Sequence, residues 1–269
     1  MKKNVKGYVS FVLHAHLPFV HHPESEDYLE EQWLYEAISE TYIPLLLNFQ
    51  KLVDEKVDFR FTMSLTPPLL NMLDNEMLQQ RYIKYLEKHI ELAEKEIVRT
   101  KDNPRINKLS HYYYDRYSND LHVFRDIYKC NLISGFKKFN DLGVLEIIGC
   151  GATHGYFPIL YVNEKTVRAQ IALGVQTYNK YFDKVVETLS SPTVIPSPLN
   201  LMNLKTISPF MSSGLPMPLF EQNFENSLKY IFSSLRLFGH IFLFERHSEM
   251  VRENSSSGSN ILSVYFSHI

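Results

Sequence analysis

Leu13-His14-Ala15-His16-Leu17-Pro18-Phe19 follows directly on Tyr-Val-Ser-Phe-Val at residues 8–12, and its reading decides the fold. The run is rich in β-branched and aromatic residues, as a buried strand is. A period of two puts His14 and His16 on one face, while Ala15 leaves room on the other. Pro18 has no N–H to give to a ladder, so the strand opens into a loop there. Two imidazoles at the C-terminal lip of a buried strand point to a pocket in an α/β protein. The bland alternative is a pair of histidines satisfied by local hydrogen bonds. The βα-type segments that follow favour the site.

Working outward, residues 31–53 read as a helix. Trp33, Leu34, Ala37, Ile38, Thr41, Leu45 and Phe49 recur at spacings of three and four, with Pro44 as a kink. Residues 57–63 alternate as a second strand, and Pro67-Pro68 marks the loop after it. A long helical zone covers residues 69–100, with alternating charge on a solvated face. Asp102-Asn103-Pro104 breaks it, and residues 107–140 are helical again, with Tyr112-Tyr113-Tyr114 among them. After the turn Asn140-Asp141-Leu142-Gly143, residues 144–148 form a third strand. Gly149-Cys150-Gly151-Ala152-Thr153-His154-Gly155 is its exit loop, and residues 163–181 form a further helix. Strands alternating with helices argue for a parallel sheet or barrel with its site at the carboxyl ends of the strands.

The 269 residues suffice for one large α/β domain or two small ones. A net charge of -2 gives no electrostatic reason for a nucleic-acid or anionic-membrane partner. Two cysteines, Cys130 and Cys150, make neither a disulfide framework nor a zinc ribbon. No apolar run is long enough to cross a bilayer, and His14 and His16 interrupt any signal-peptide core, so a cytoplasmic location is expected. His14, His16 and His154 converge if the chain is a β/α barrel. Imidazoles at a strand lip ligate metals, exchange protons or hydrogen-bond a polyhydroxylated substrate. A metal-dependent hydrolase built on these three is one alternative, although its further ligand and nearby carboxylate are not identifiable.

His14-Ala15-His16-Leu17-Pro18-Phe19 and Gly151-Ala152-Thr153-His154-Gly155-Tyr156 resemble two signature regions of glycoside hydrolase family 57, nearest its α-1,4-glucan branching enzyme-like members. Residues 33–46 and 61–70 are similar to the family's intervening segments, so the resemblance covers about residues 6–184 in four ordered blocks. It implies an incomplete, seven-stranded β/α barrel with no metal or other cofactor. It also implies that His14, His16 and His154 line the subsite around the scissile sugar, with α-1,4-glucan (glycogen or amylose) as the partner. Trp33, the single tryptophan, could stack on a glucose face; by residue type it is more often a core anchor.

Retaining glycoside chemistry needs two carboxyl groups about 5 Å apart. The family carries its nucleophilic Glu in a Trp-Leu-Pro-Glu-Cys-Gly-Tyr-like block, with an acid/base Asp much later. No such block follows here. Glu187 stands alone at the corresponding place, and Glu36 and Glu40 read as helix-face charges. Residues 185–269 contain no Asp, Ala, Cys or Trp, and serine rises to 16 there from 7 in residues 1–184. Ser255-Ser256-Ser257-Gly258-Ser259 is low in complexity. The expected organisation is therefore a family 57-like, truncated barrel over residues 1–184 and a divergent, poorly structured tail, out of frame or disordered, over residues 185–269. The expected function is the N-terminal portion of an α-glucan-active hydrolase or transglycosylase, without catalytic residues and inactive alone. A non-catalytic glucan-binding module is the other alternative.

Overall fold

The computed structural model describes residues 8–26, 28–183 and 261–267. In chain order these form β1 (Tyr8–Ala15), α1 (Leu29–Ala37), α2 (Ile43–Asp54), β2 (Phe61–Leu65), α3 (Pro67–Leu73), α4 (Glu76–Arg99) and α5 (Pro104–Leu121). Then follow α6 (Leu132–Asp141), β3 (Leu145–Ile148), α7 (Phe157–Leu160), α8 (Glu164–Phe182) and β4 (Ile261–Ser267). The chain makes two compact units. The sheet unit takes Met1–His16, Val57–Pro67 and Asn140–Ile269, and the helical unit takes Leu17–Lys56 and Pro68–Phe139. Among the described residues no helix is long and apolar enough to cross a membrane.

All strand pairs are parallel, in the order β3-β2-β1-β4. β1 and β2 pair from Val12↔Thr62 to Ala15↔Leu65, and β2 and β3 from Phe61↔Leu145 to Ser64↔Ile148. Leu13, Ala15, Met63 and Leu65 are buried on one face of this sheet. β2 is shifted relative to the expected residues 57–63, because its ladder with both neighbours begins only at Phe61 and Thr62. β4 comes from within the tail and pairs with β1 from Tyr8↔Ile261 to His14↔Ser267. There the expected structureless sequence is a strand, in keeping with its Ile-Leu-Ser-Val-Tyr-Phe-Ser composition. Residues 184–260 and 268–269, with Glu187 among them, lie outside the described residues.

The helical unit departs from the expected long helices at points with local causes. Pro44 lacks the N–H its position owes and crowds the carbonyl of residue 40, so a wide π-turn at Ile38–Tyr42 separates α1 from α2. Pro67 and Pro68 open α3 rather than forming a loop, since the first helical turn needs no N–H from them. The zone 69–100 breaks at Asn75, whose side chain caps α4 by accepting from Leu78 N–H at 3.0 Å. A second break separates α5 and α6, where Lys129 and Cys130 take φ of 51° and 64°. Trp33 is 44% exposed on α1, so it is not the core anchor its residue type favours.

Two buried carboxylates in the helical unit show opposite solutions to one problem. Glu31 is fully buried and completely used: it accepts from Arg81 at 2.7 and 2.9 Å, from His22 N–H at 2.9 Å and from Tyr35 Oη at 2.9 Å. Asp120 is 3% exposed, and its Oδ2 has no partner among the described residues. Burial pushes its carboxyl up to about 7, with Glu40 adding to the rise and Arg116 and Ser39 opposing it. Arg81→Met should destabilise the protein by about 3–5 kcal/mol in urea denaturation, because it strands the Glu31 charge. Asp120→Asn should do the reverse. The unfolded carboxyl ionises near pH 4 and the folded one near 7, so the contribution of Asp120 to wild-type stability falls as pH rises across that window. The variant should gain about 1–3 kcal/mol over wild type at pH 8 and nothing near pH 4.

Candidate functional site

The site is built on the parallel register of β1 and β2. His14 pairs with Ser64, and Ala15 O accepts from Thr66 N–H at 3.1 Å, carrying the ladder one step past the strand. Side chains two apart share a face, so His14 and His16 meet Ser64 and Thr66. His14 Nδ1 lies 2.5 Å from Ser64 Oγ, and His16 Nδ1 lies 3.1 Å from Thr66 Oγ1. Both hydroxyls are essentially inaccessible, at 1% and 0% exposure. A buried hydroxyl is costly without a partner, so each pair satisfies both of its members and fixes the ring. Nε2 of each ring is then the nitrogen these hydroxyls leave unengaged.

His154 arrives from the loop after β3. Its φ of 56° is left-handed, a conformation that costs a non-glycine residue about 1–2 kcal/mol. Its N–H donates to Gly151 O at 3.0 Å, closing a tight turn. The ring lies flat on His16, with centroids 3.9 Å apart and planes at 22°, and 4.9 Å from His14. His14 and His16 are themselves 6.0 Å apart. His154 Nε2 is buried with no partner among the described residues.

Burial lowers the pKa of all three imidazoles. His14 and His16 fall to about 4, pushed further down by the neighbouring His154 and, for His16, by His14. The cluster is therefore neutral at pH 7 and both donates and accepts hydrogen bonds. No group of three His, Cys, Asp or Glu among the described residues is arranged to hold a metal ion. Cys150 is buried, and burial holds its thiol up to about 12, so it is no nucleophile at neutral pH.

The structure thus brings His14, His16 and His154 together, while Trp33 lies on α1 of the helical unit. Glu36 is exposed on α1, and Glu40, partly buried in the π-turn, has its carboxyl raised by burial. Sequence reading missed Ser64 and Thr66. The signal was present: Ser64-Leu65-Thr66 repeats the polar-apolar-polar spacing of His14-Ala15-His16 on the adjacent strand.

A parallel sheet with helical crossovers and convergent polar rings at its carboxyl end defines an α/β protein of the kind that binds small polar ligands there. The chain belongs to glycosyl hydrolase family 57, whose sequence profile matches residues 10–207. That match continues past residue 184, where the sequence resemblance had been drawn to end. A 1,4-alpha-glucan branching enzyme of Thermococcus kodakarensis is 37% identical over 179 residues, 66% of this chain and 26% of the relative. The crystal structure of a family 57 branching enzyme from the same organism, in complex with glucose, has a TM-score of 0.63 at 34% identity, covering 69% of this chain and 32% of that one. The alpha-amylase AmyC of Thermotoga maritima has a TM-score of 0.65 at 47% identity, covering 69% of this chain and 35% of that one. The chain therefore matches about a quarter to a third of the length of these relatives.

The depressed histidine pKa values carry a stability consequence. The unfolded imidazoles take up protons near pH 6.5 and the folded ones only near 4, so the contribution of the cluster to stability should fall as pH drops through that window. Asp120 works in the opposite direction over the same range, so the loss is read in its absence: urea midpoints of Asp120→Asn should fall from pH 7 to about pH 4, and adding His14→Gln should reduce that fall.

Proposed function

We propose that this chain forms the sugar-binding side of an α-glucan-active family 57 enzyme and, alone, binds α-1,4-glucan without cleaving or transferring it. The observation that carries the reading is the meeting of three neutral imidazoles at one lip of the parallel sheet, within the segment that matches the family. Sugar hydroxyls donate and accept, as neutral imidazoles do, and such a ligand would give the buried His154 Nε2 the partner it lacks. The 1,4-alpha-glucan branching enzyme among the relatives supports the substrate class, with glycogen or amylose in the cytoplasm as the assigned ligand. Branching-type transfer is the whole enzyme's activity on this reading. The absence of a Trp-Leu-Pro-Glu-Cys-Gly-Tyr-like block, and of any Asp after residue 184, supports a chain without the catalytic carboxylates. Exposed on its helix, Trp33 is available as an additional stacking residue.

Titration calorimetry with a linear maltooligosaccharide at pH 7 tests the binding. Wild type should bind, and His16→Ala should bind about tenfold more weakly or worse, the loss of one to two hydrogen bonds. Incubation with amylose should release no reducing sugar and create no α-1,6 branches. Turnover abolished by Glu187→Gln would overturn the non-catalytic part of the reading, and absence of any glucan binding would overturn the rest.

A further inference from the structure

Gln170, Gly174 and Tyr178 are spaced by four on α8 and so form one stripe along it. Each of them fastens the loop that ends in His154. Tyr178 is fully buried, and its hydroxyl accepts from Cys150 N–H at 3.0 Å while donating to Leu65 O at 2.5 Å. One phenol oxygen thus joins the ends of β2 and β3. One turn earlier, a Cβ on Gly174 would stand 2.4 Å from Cys150 O, so only glycine lets the loop lie against the bare helix backbone. A further turn earlier, Gln170 O accepts from Ala152 N–H at 2.9 Å. The Gln170 side chain closes a ring on Thr153, accepting from its N–H at 2.9 Å and donating to its Oγ1 at 2.9 Å.

Cys150, Ala152 and Thr153 are therefore each tied to α8, and the next residue is His154 in its left-handed conformation. Strain of that kind persists only where the surroundings over-determine it. We infer that Gln170, Gly174 and Tyr178 are positioning residues that hold His154 stacked on His16. Through Leu65 O the same stripe also touches the end of β2, the strand that carries Ser64. The functional role rests on the reading of the histidines as sugar-binding groups; the positioning itself does not.

The test is an NMR titration of the imidazoles in the full chain without glucan. His14 and His16 are held down partly by the adjacent His154. When the loop is released, their midpoints should rise by about half to one pH unit. Gln170→Ala and Tyr178→Phe should both show this rise. Tyr82→Phe is the control: it removes a buried hydroxyl bond to Ser39 Oγ (2.7 Å) in the helical unit, and should lower the melting temperature without moving the midpoints. Unmoved midpoints in Gln170→Ala, or an equal rise in the control, overturn the inference. Gln170 is only partly buried, so its variant decides the matter should Tyr178→Phe fail to fold. Shifted midpoints with no glucan binding in wild type would sink the proposed ligand and leave the positioning role standing.

Discussion

The site depends on one register, the pairing of His14 with Ser64 in a parallel ladder. A slip of one residue would turn His14 and His16 onto the face where Leu13, Ala15, Met63 and Leu65 are buried. The apolar face therefore sets the register, and the register sets the polar face. Each histidine then meets a hydroxyl that is inaccessible to water. Hydrophobic burial on one side of the sheet thereby becomes ring orientation on the other.

His154 has no such ladder. It lies beyond the strand, in a backbone conformation that a histidine does not adopt by preference. Its position comes from stacking on His16 and from the loop contacts that precede it, so the third imidazole is placed by tertiary structure and the first two by strand periodicity. The difference predicts which members of the cluster are robust to change. Substitutions far from β1 can displace His154, whereas His14 and His16 move only if the sheet does.

This difference also explains what was legible in the sequence. A strand period of two needs only local residues, so the shared face of His14 and His16 could be read directly. Asn103, legible only as part of a break, and Asn163, legible only as the start of a helix, turn out to cap α5 and α8. The stripe on α8 is not legible in the sequence, because the hydroxyl chemistry of Tyr178 appears only when β2 and β3 are neighbours. The π-turn before Pro44 was read as a kink, since sequence marks the lost N–H but not how the turn widens. The exposure of Trp33 is not legible for a related reason: residue type reports average burial, and its place on α1 is decided by which face packs inward. The tail was read from composition alone. Composition does not see that Ile261–Ser267 can find β1 as a parallel partner.

The low pKa of the histidines bears on what a sugar site can do. Glycoside cleavage develops positive charge on the sugar ring, and groups that carry positive charge nearby raise its barrier. Three protonated imidazoles would oppose that charge at close range. Burial and mutual repulsion remove the protons instead, leaving rings that bond hydroxyls without contributing an adverse field. Neutral rings cannot supply the complementary negative charge either, nor form the covalent intermediate that a carboxylate forms. On the proposed reading the cluster is therefore suited to holding a glucose unit beside a reaction that other groups must perform. Recognition and chemistry are separable in such a site, because the hydroxyl-bonding groups and the charged groups answer to opposite electrostatic demands.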